Sequence, residues 1–199
     1  RDESLGRYLS NTRKIVYNFQ FDTPLGDKDL LERGFALVGV DRTKHARQLA
    51  RFLRGLGHKV VALPDADVSC LPDKKYRDLF ESEGITVAEC PPPFCAAGFL
   101  ETMRSQQITA VWFHGDSTAC QAIGELKALG VRIPEDLTVI GFDGMSMVFS
   151  QDLTTLAMPV HDMVAKVCAI VSGTERGGRH CFDMELVKGR THGLPARTG

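Results

Sequence analysis

One rhythm constrains this chain more than any other feature. Short apolar runs of strand length alternate with segments of helical spacing, and glycine closes several of the helical segments. Phe35–Val40 is followed by Thr43–Leu56, where Ala46, Leu49, Ala50 and Leu53 recur on one helical face and Gly57 supplies a left-handed stop. Lys59–Leu63 is then the next strand. Repeated strand–helix–strand units imply a parallel sheet with helices on both faces and right-handed crossovers. The fold class is therefore α/β, doubly wound.

The same reading extends in both directions. Leu5, Tyr8 and Leu9 mark one helical face, Ile15–Phe19 reads as a strand, and Asp27–Arg33 as a short helix closed by Gly34. Downstream, helices are expected over Asp73–Glu83, Ala96–Gln106 and Ser117–Leu129, and strands over Ile85–Ala88, Thr109–Phe113 and Leu137–Phe142. After Asp143 the rhythm breaks. Gly144–Asp152 is irregular, Leu153–Met158 extended, and Pro159 opens a helix to about Ser172, where its missing N–H costs nothing. A loop over Thr174–His180 precedes a final strand over Cys181–Arg190, and the tail after His192 is expected to fray.

Composition narrows the partners. The 199 residues carry a formal net charge of −1, which leaves no basic footprint for nucleic acid on these residues themselves. The basic helix bearing Arg42, Lys44, Arg47, Arg51 and Arg54 sets its charges largely opposite its apolar stripe, and so reads as a solvated face. No apolar run of about 18 residues is present, so no membrane helix is expected. Six cysteines fall mostly in apolar runs without metal-ligand spacing, and are read as reduced, mostly buried thiols of a cytoplasmic protein. The chain opens at Arg1 within a helical pattern, so a fragment or a processed product is expected.

Candidate chemistry gathers where strands end. Asp41, Asp116 and Asp143 each follow an apolar run, at the carboxyl edge where open α/β sheets place ligands. A carboxylate there can accept hydrogen bonds from two hydroxyls of a polyol. Other roles are open to each: Asp116 as the N-cap of the helix from Ser117, Asp41 as a cap, and Asp143 before Gly144 as a turn residue. His114 and Ser117 invite a hydrolase reading, but no nucleophile elbow surrounds Ser117, and the chain is read as a non-enzyme. No phosphate loop or zinc pattern appears, and no cofactor is expected.

At this point the residues resemble a known family. Ile133-Pro134-Glu135-Asp136-Leu137-Thr138-Val139-Ile140-Gly141-Phe142-Asp143, then Leu153-Thr154-Thr155 and Pro159 before a helix, resemble the effector-binding core of the lactose-repressor/galactose-repressor family. Gly39-Val40-Asp41, Leu56-Gly57-His58, Asp116 with Ala119 and Ala122, and Glu185–Thr191 match in order, so the resemblance spans roughly residues 27 to 193.

The resemblance implies a periplasmic-binding-protein-like fold of two subdomains with a small, sugar-like effector in the cleft. Residues 1–57 would be the remnant of the first subdomain and 58–157 the second. The helix in 158–176 would return to the first, and 177–199 would give the final strand of the second and the tail. It further implies a homodimer, and operator DNA bound through an amino-terminal helix-turn-helix. That module and the first β-α-β of the first subdomain would lie outside this chain. Asp143, Asp116 and Asp41 become effector contacts, joined by Phe94 and His114. Gly115, Pro72 and Met158 depart from the family pattern, each at a position where a polar group is usual. A solute-binding protein of a sugar uptake system shares the fold and is the alternative.

Overall fold

The computed structural model describes residues 14–17, 27–64, 73–90, 94–145 and 152–196. The face at Leu5, Tyr8 and Leu9, and the departure at Pro72, lie outside them. In chain order the elements are β1 (Lys14–Tyr17), α1 (Asp27–Glu32), β2 (Phe35–Val40), α2 (Arg42–Leu56), β3 (Val60–Ala62), α3 (Asp73–Ser82), β4 (Thr86–Ala88) and α4 (Ala96–Ser105). They continue as β5 (Ala110–Trp112), α5 (Asp116–Ala128), β6 (Thr138–Asp143), β7 (Thr154–Ala157), α6 (Val160–Ser172), β8 (Arg179–Phe182) and β9 (Glu185–Val187). The alternation read from the sequence is present, with most ends displaced by a residue or two.

The chain divides into two compact units. The first is Arg1–Arg42 with Pro159–Met184, and the second is Thr43–Met158 with Glu185–Gly199. This differs from the expected boundary at residue 57, because α2 packs in the second unit. Its apolar stripe, Ala46, Leu49, Ala50 and Leu53, is buried, and Arg51 and Arg54 hydrogen-bond Glu83 at the end of α3.

The first unit has a parallel sheet in the order β1-β2-β8, with Leu37 opposite Arg179 and Val40 opposite Phe182. Every residue of β2 after Phe35 is buried. Helix α6 packs beside β2, turning Met163 and Ile170 inward at a spacing of two helical turns. The second unit has six strands in the order β4-β3-β5-β6-β7-β9, parallel except for the β7–β9 pair.

Side-chain alternation along β5 divides the second core. Val111 and Phe113 face a cluster with Phe99 of α4 and Ala119, Ile123 and Leu126 of α5. Trp112 faces Tyr76 and Phe80 of α3 on the other side. Both faces are thus covered, which is why the strands read as continuous apolar runs.

Three further expectations are corrected. The single final strand is two short ones: β8 joins the first sheet beside β2, β9 joins the second beside β7, and Asp183–Met184 separates them. The residues after His192 are anchored at least through Gly193, whose N–H donates to Thr138 Oγ1 while its carbonyl sits 3.0 Å from His58 Nε2. The five described cysteines are free but not buried; Cys95, Cys168 and Cys181 are exposed, and Cys90 and Cys120 half-buried. Cys90 and Cys95 lie between β4 and α4, Cys120 and Cys168 on helices and Cys181 on β8, and an apolar neighbourhood in sequence is not always an interior one.

Candidate ligand-recognition site

The carboxyl edge of the second sheet is built around Asp116. It is the first residue of α5, and the N-cap is Gly115, which makes no side-chain cap bond. The expected N-cap role of Asp116 is therefore replaced by another. Its carboxylate is 1% exposed; Oδ1 accepts the Thr155 hydroxyl at 2.6 Å, and Oδ2 accepts the backbone N–H of Met145. One side chain thus ties the start of α5 to β7 and to the chain leaving β6.

Gly141 makes room for this arrangement. A Cβ built on Gly141 would lie 2.1 Å from Asp116 Oδ1 and 2.7 Å from Leu153 Cδ2. Only a residue without a side chain lets the buried carboxylate lie against the backbone of β6.

Asp143 ends β6 and is half-buried. Its φ is +102°, a conformation that a side chain other than hydrogen disfavours, and Gly144 follows at +84°. The surroundings hold it there. Its carbonyl accepts the N–H of Met158 at 3.2 Å, and a Cβ at Gly144 would meet Ala157 at 2.7 Å. A positive φ at an aspartate before glycine fits a tight turn, and strain of this kind also gathers at ligand sites.

Gly115 adjoins this acid. A Cβ added there would sit 3.8 Å from Thr118 Oγ1 and 4.0 Å from Asp143 Oδ2, ordinary contact distances. The backbone at Gly115 is extended, so other residues fit it. The missing side chain leaves a polar notch beside the Asp143 carboxylate.

His114 and Phe94 lie on opposite faces of the sheet. His114 is half-buried against Tyr76 and Trp112, with ring centroids 5.1 and 4.7 Å away. The Trp112 indole N–H, in a side chain 1% exposed, has no acceptor among the described residues. Phe94 instead packs edge-on to Phe113 at 5.1 Å and against Phe99, as part of the core under α4 and α5.

Asp41 belongs to the first unit, directly after β2. There burial, and then the Asp41 charge, push the Cys181 thiol upward from its usual range. Sequence reasoning missed Thr155, Gly141, Thr118 and Tyr76. Thr155 and Gly141 in apolar strands look like ordinary sheet residues, Thr118 and Tyr76 like ordinary helix residues, and no local signal marked them.

Among the described residues no group of His, Cys, Asp and Glu could hold a metal ion, and no helix is long and apolar enough to cross a membrane. Carboxylates at the carboxyl edge suit recognition of hydroxyls or cationic groups. Two open α/β units with acids at strand ends define a binding protein of the doubly wound class.

The chain belongs to the periplasmic binding protein-like domain family, whose model matches residues 33–179. It is 28% identical over 205 residues to an HTH-type transcriptional regulator of Mycobacterium tuberculosis, covering 85% of this chain and 56% of the relative. It is 28% identical over 166 residues to the HTH-type transcriptional regulator DegA of Bacillus subtilis, covering 77% and 49%. The chain thus spans about half the length of these curated relatives. Among solved structures, a LacI family transcriptional regulator from an Arthrobacter species, in complex with lactose, superposes with a TM-score of 0.67 at 18% identity. That likeness covers 95% of this chain and 82% of the other, and it establishes the shared fold.

Proposed function

We propose that this chain is the effector-binding core of a LacI-type transcriptional regulator and that Asp143 grips a small polyhydroxylated effector. The conformation of Asp143 carries the reading: a strained acid held at the carboxyl edge of a parallel sheet, beside the open notch at Gly115. The regulator names of the relatives, and the lactose bound by the Arthrobacter protein, support the class and the sugar-like ligand. His114 and Phe94 are further proposed contacts. For the first unit Asp41 is the candidate, tested by its own substitution. Asp116 contributes by positioning, since its carboxylate is committed to Thr155 and Met145.

The mechanism is differential binding. An effector that prefers one arrangement of the regulator shifts its population, and so changes how a homodimer presents its helix-turn-helix modules to operator DNA in the cytoplasm. An effector with equal affinity for both arrangements would shift nothing. The chemistry is recognition without turnover.

Thermal-shift screening against sugars, nucleosides and amino acids finds the ligand, since binding to the folded state raises the melting temperature. Asp143→Asn should weaken the ligand found by about tenfold or more, the equivalent of one charge-assisted hydrogen bond. Unchanged affinity overturns the site. A secretory signal in the upstream coding sequence would replace the regulator with a solute-binding protein.

A further inference from the structure

The amino edge of the second sheet, opposite the edge that carries Asp143, holds a recess of its own. It lies where α4 and α5 end, and has a volume of about 540 Å³. That is within the range of small-molecule sites, roughly 300–1,000 Å³. Leu100, Met103, Ile108, Leu129 and Val131 give it an apolar lining. Leu129 is 46% exposed although it ends a helix whose other leucine, Leu126, is fully buried. The exposed Leu129 side chain extends the apolar lining to the rim, where a ligand's apolar surface can be covered.

The charges decide what would cover it. Two charged side chains line the recess, Asp136 and Arg104. Asp136 is committed: Oδ2 accepts the backbone N–H and Nε of Arg132, each at 2.9 Å, and Oδ1 accepts the Nη2 of the same guanidinium. Its carboxyl is held below the usual range by those bonds.

Several of the helix-end carbonyls are also engaged. Thr102 O accepts from Gln106, Met103 O from Ile108, Leu126 O from Val131, and Lys127 O from Gly130. Arg104 is different. It is exposed, and it makes no ion pair or side-chain hydrogen bond among the described residues. Beside it the left-handed Gln107, φ +56°, sets an amide at the rim. The recess therefore has apolar side chains, a committed acid and one planar cation without an ion pair among the described residues.

We propose that this recess is a second ligand site, selective for a small apolar monocarboxylate. The carboxylate would pair with the Arg104 fork, and the apolar body would lie on Met103, Leu129 and Val131. A guanidinium–carboxylate pair is bidentate and directional, whereas the dipole of α4 opposes an anion only weakly at an exposed end. Arg104 also lines the neighbouring groove over α4, where Glu101 stands one turn earlier without bonding it; within the recess the one acid, Asp136, is committed to Arg132.

The test is calorimetric titration of the full chain with 4-phenylbutyrate, 4-phenylbutanol and 4-phenylbutylamine. The expected order is acid strongest, alcohol weaker, amine weakest. Arg104→Gln should weaken the acid by about tenfold while leaving the alcohol within about twofold. Leu129→Asp should weaken all three, with unchanged far-ultraviolet dichroism showing that the chain remains folded. Equal binding of the three probes, or acid binding indifferent to Arg104→Gln, overturns the proposal, as does absence of saturable binding at millimolar probe.

Discussion

The Thr155 hydroxyl donates to the buried carboxylate of Asp116 across 2.6 Å, joining β7 to the first turn of α5. The two residues are 39 positions apart, and each is nearly absent from the surface. Truncating one partner leaves the other without its bond in a low-dielectric setting. Asp116→Ala should cost about 1–3 kcal/mol, and Thr155→Val a similar amount. In a urea double-mutant cycle the two should fall short of additivity, the signature of a shared bond.

Gly141 should be among the least tolerant positions of the chain. Its missing Cβ would meet Asp116 Oδ1 at 2.1 Å and Leu153 at 2.7 Å. Gly141→Ala drives a Cβ into a buried carboxylate already bonded to Thr155 and Met145, so a loss of about 2–4 kcal/mol is expected, at or above the usual range for overpacking. The shift in the urea midpoint measures it. By contrast Gly115→Ala, where contacts remain at 3.8–4.0 Å, should leave stability nearly unchanged and narrow the notch beside Asp143.

Asp143 should show stability and recognition moving apart. At φ +102° only glycine is at ease, so Asp143→Gly should be more stable than Asp143→Ala by about 1 kcal/mol or more. Both substitutions remove the carboxylate and should weaken the effector alike. Equal stabilities for the two variants would show that the backbone there carries no strain.

Acid should loosen the amino edge before it touches the carboxylates. His58 is 2% exposed, with Nδ1 2.9 Å from Thr109 Oγ1 and Nε2 3.0 Å from the Gly193 carbonyl, and burial pushes its ring downward from the usual histidine value. His192, paired with Thr154, is shifted downward by burial and by Lys188. A depressed histidine takes its proton in the unfolded chain first. Stability is therefore full above about pH 6.5 and declines as pH falls through the folded values, by at most about 1.4 kcal/mol per pH unit for His58. Asp136 and Glu83 are also held low and lose their contribution only in stronger acid, so urea midpoints between about pH 7.5 and 5 isolate the histidines. His58→Gln should flatten that slope.

The sequence by itself determined the alternation of strands and helices, the glycine stops and the carboxyl-edge placement of Asp116 and Asp143, because periodicity and turn chemistry act within a few residues of one another. Tertiary structure decided what those residues do. Asp116 became a buried clamp and not an N-cap, because Thr155 and Met145, both more than 25 residues downstream, offered its oxygens better partners than the helix start did. Helix α2 joined the second unit with its stripe buried and its Arg51 and Arg54 bonded to Glu83 just after α3, a contact that spacing along the chain does not encode. The last apolar run split between two sheets for the same reason: strand pairing is a choice among distant edges, and only the folded chain brings β2 and β7 within reach of it.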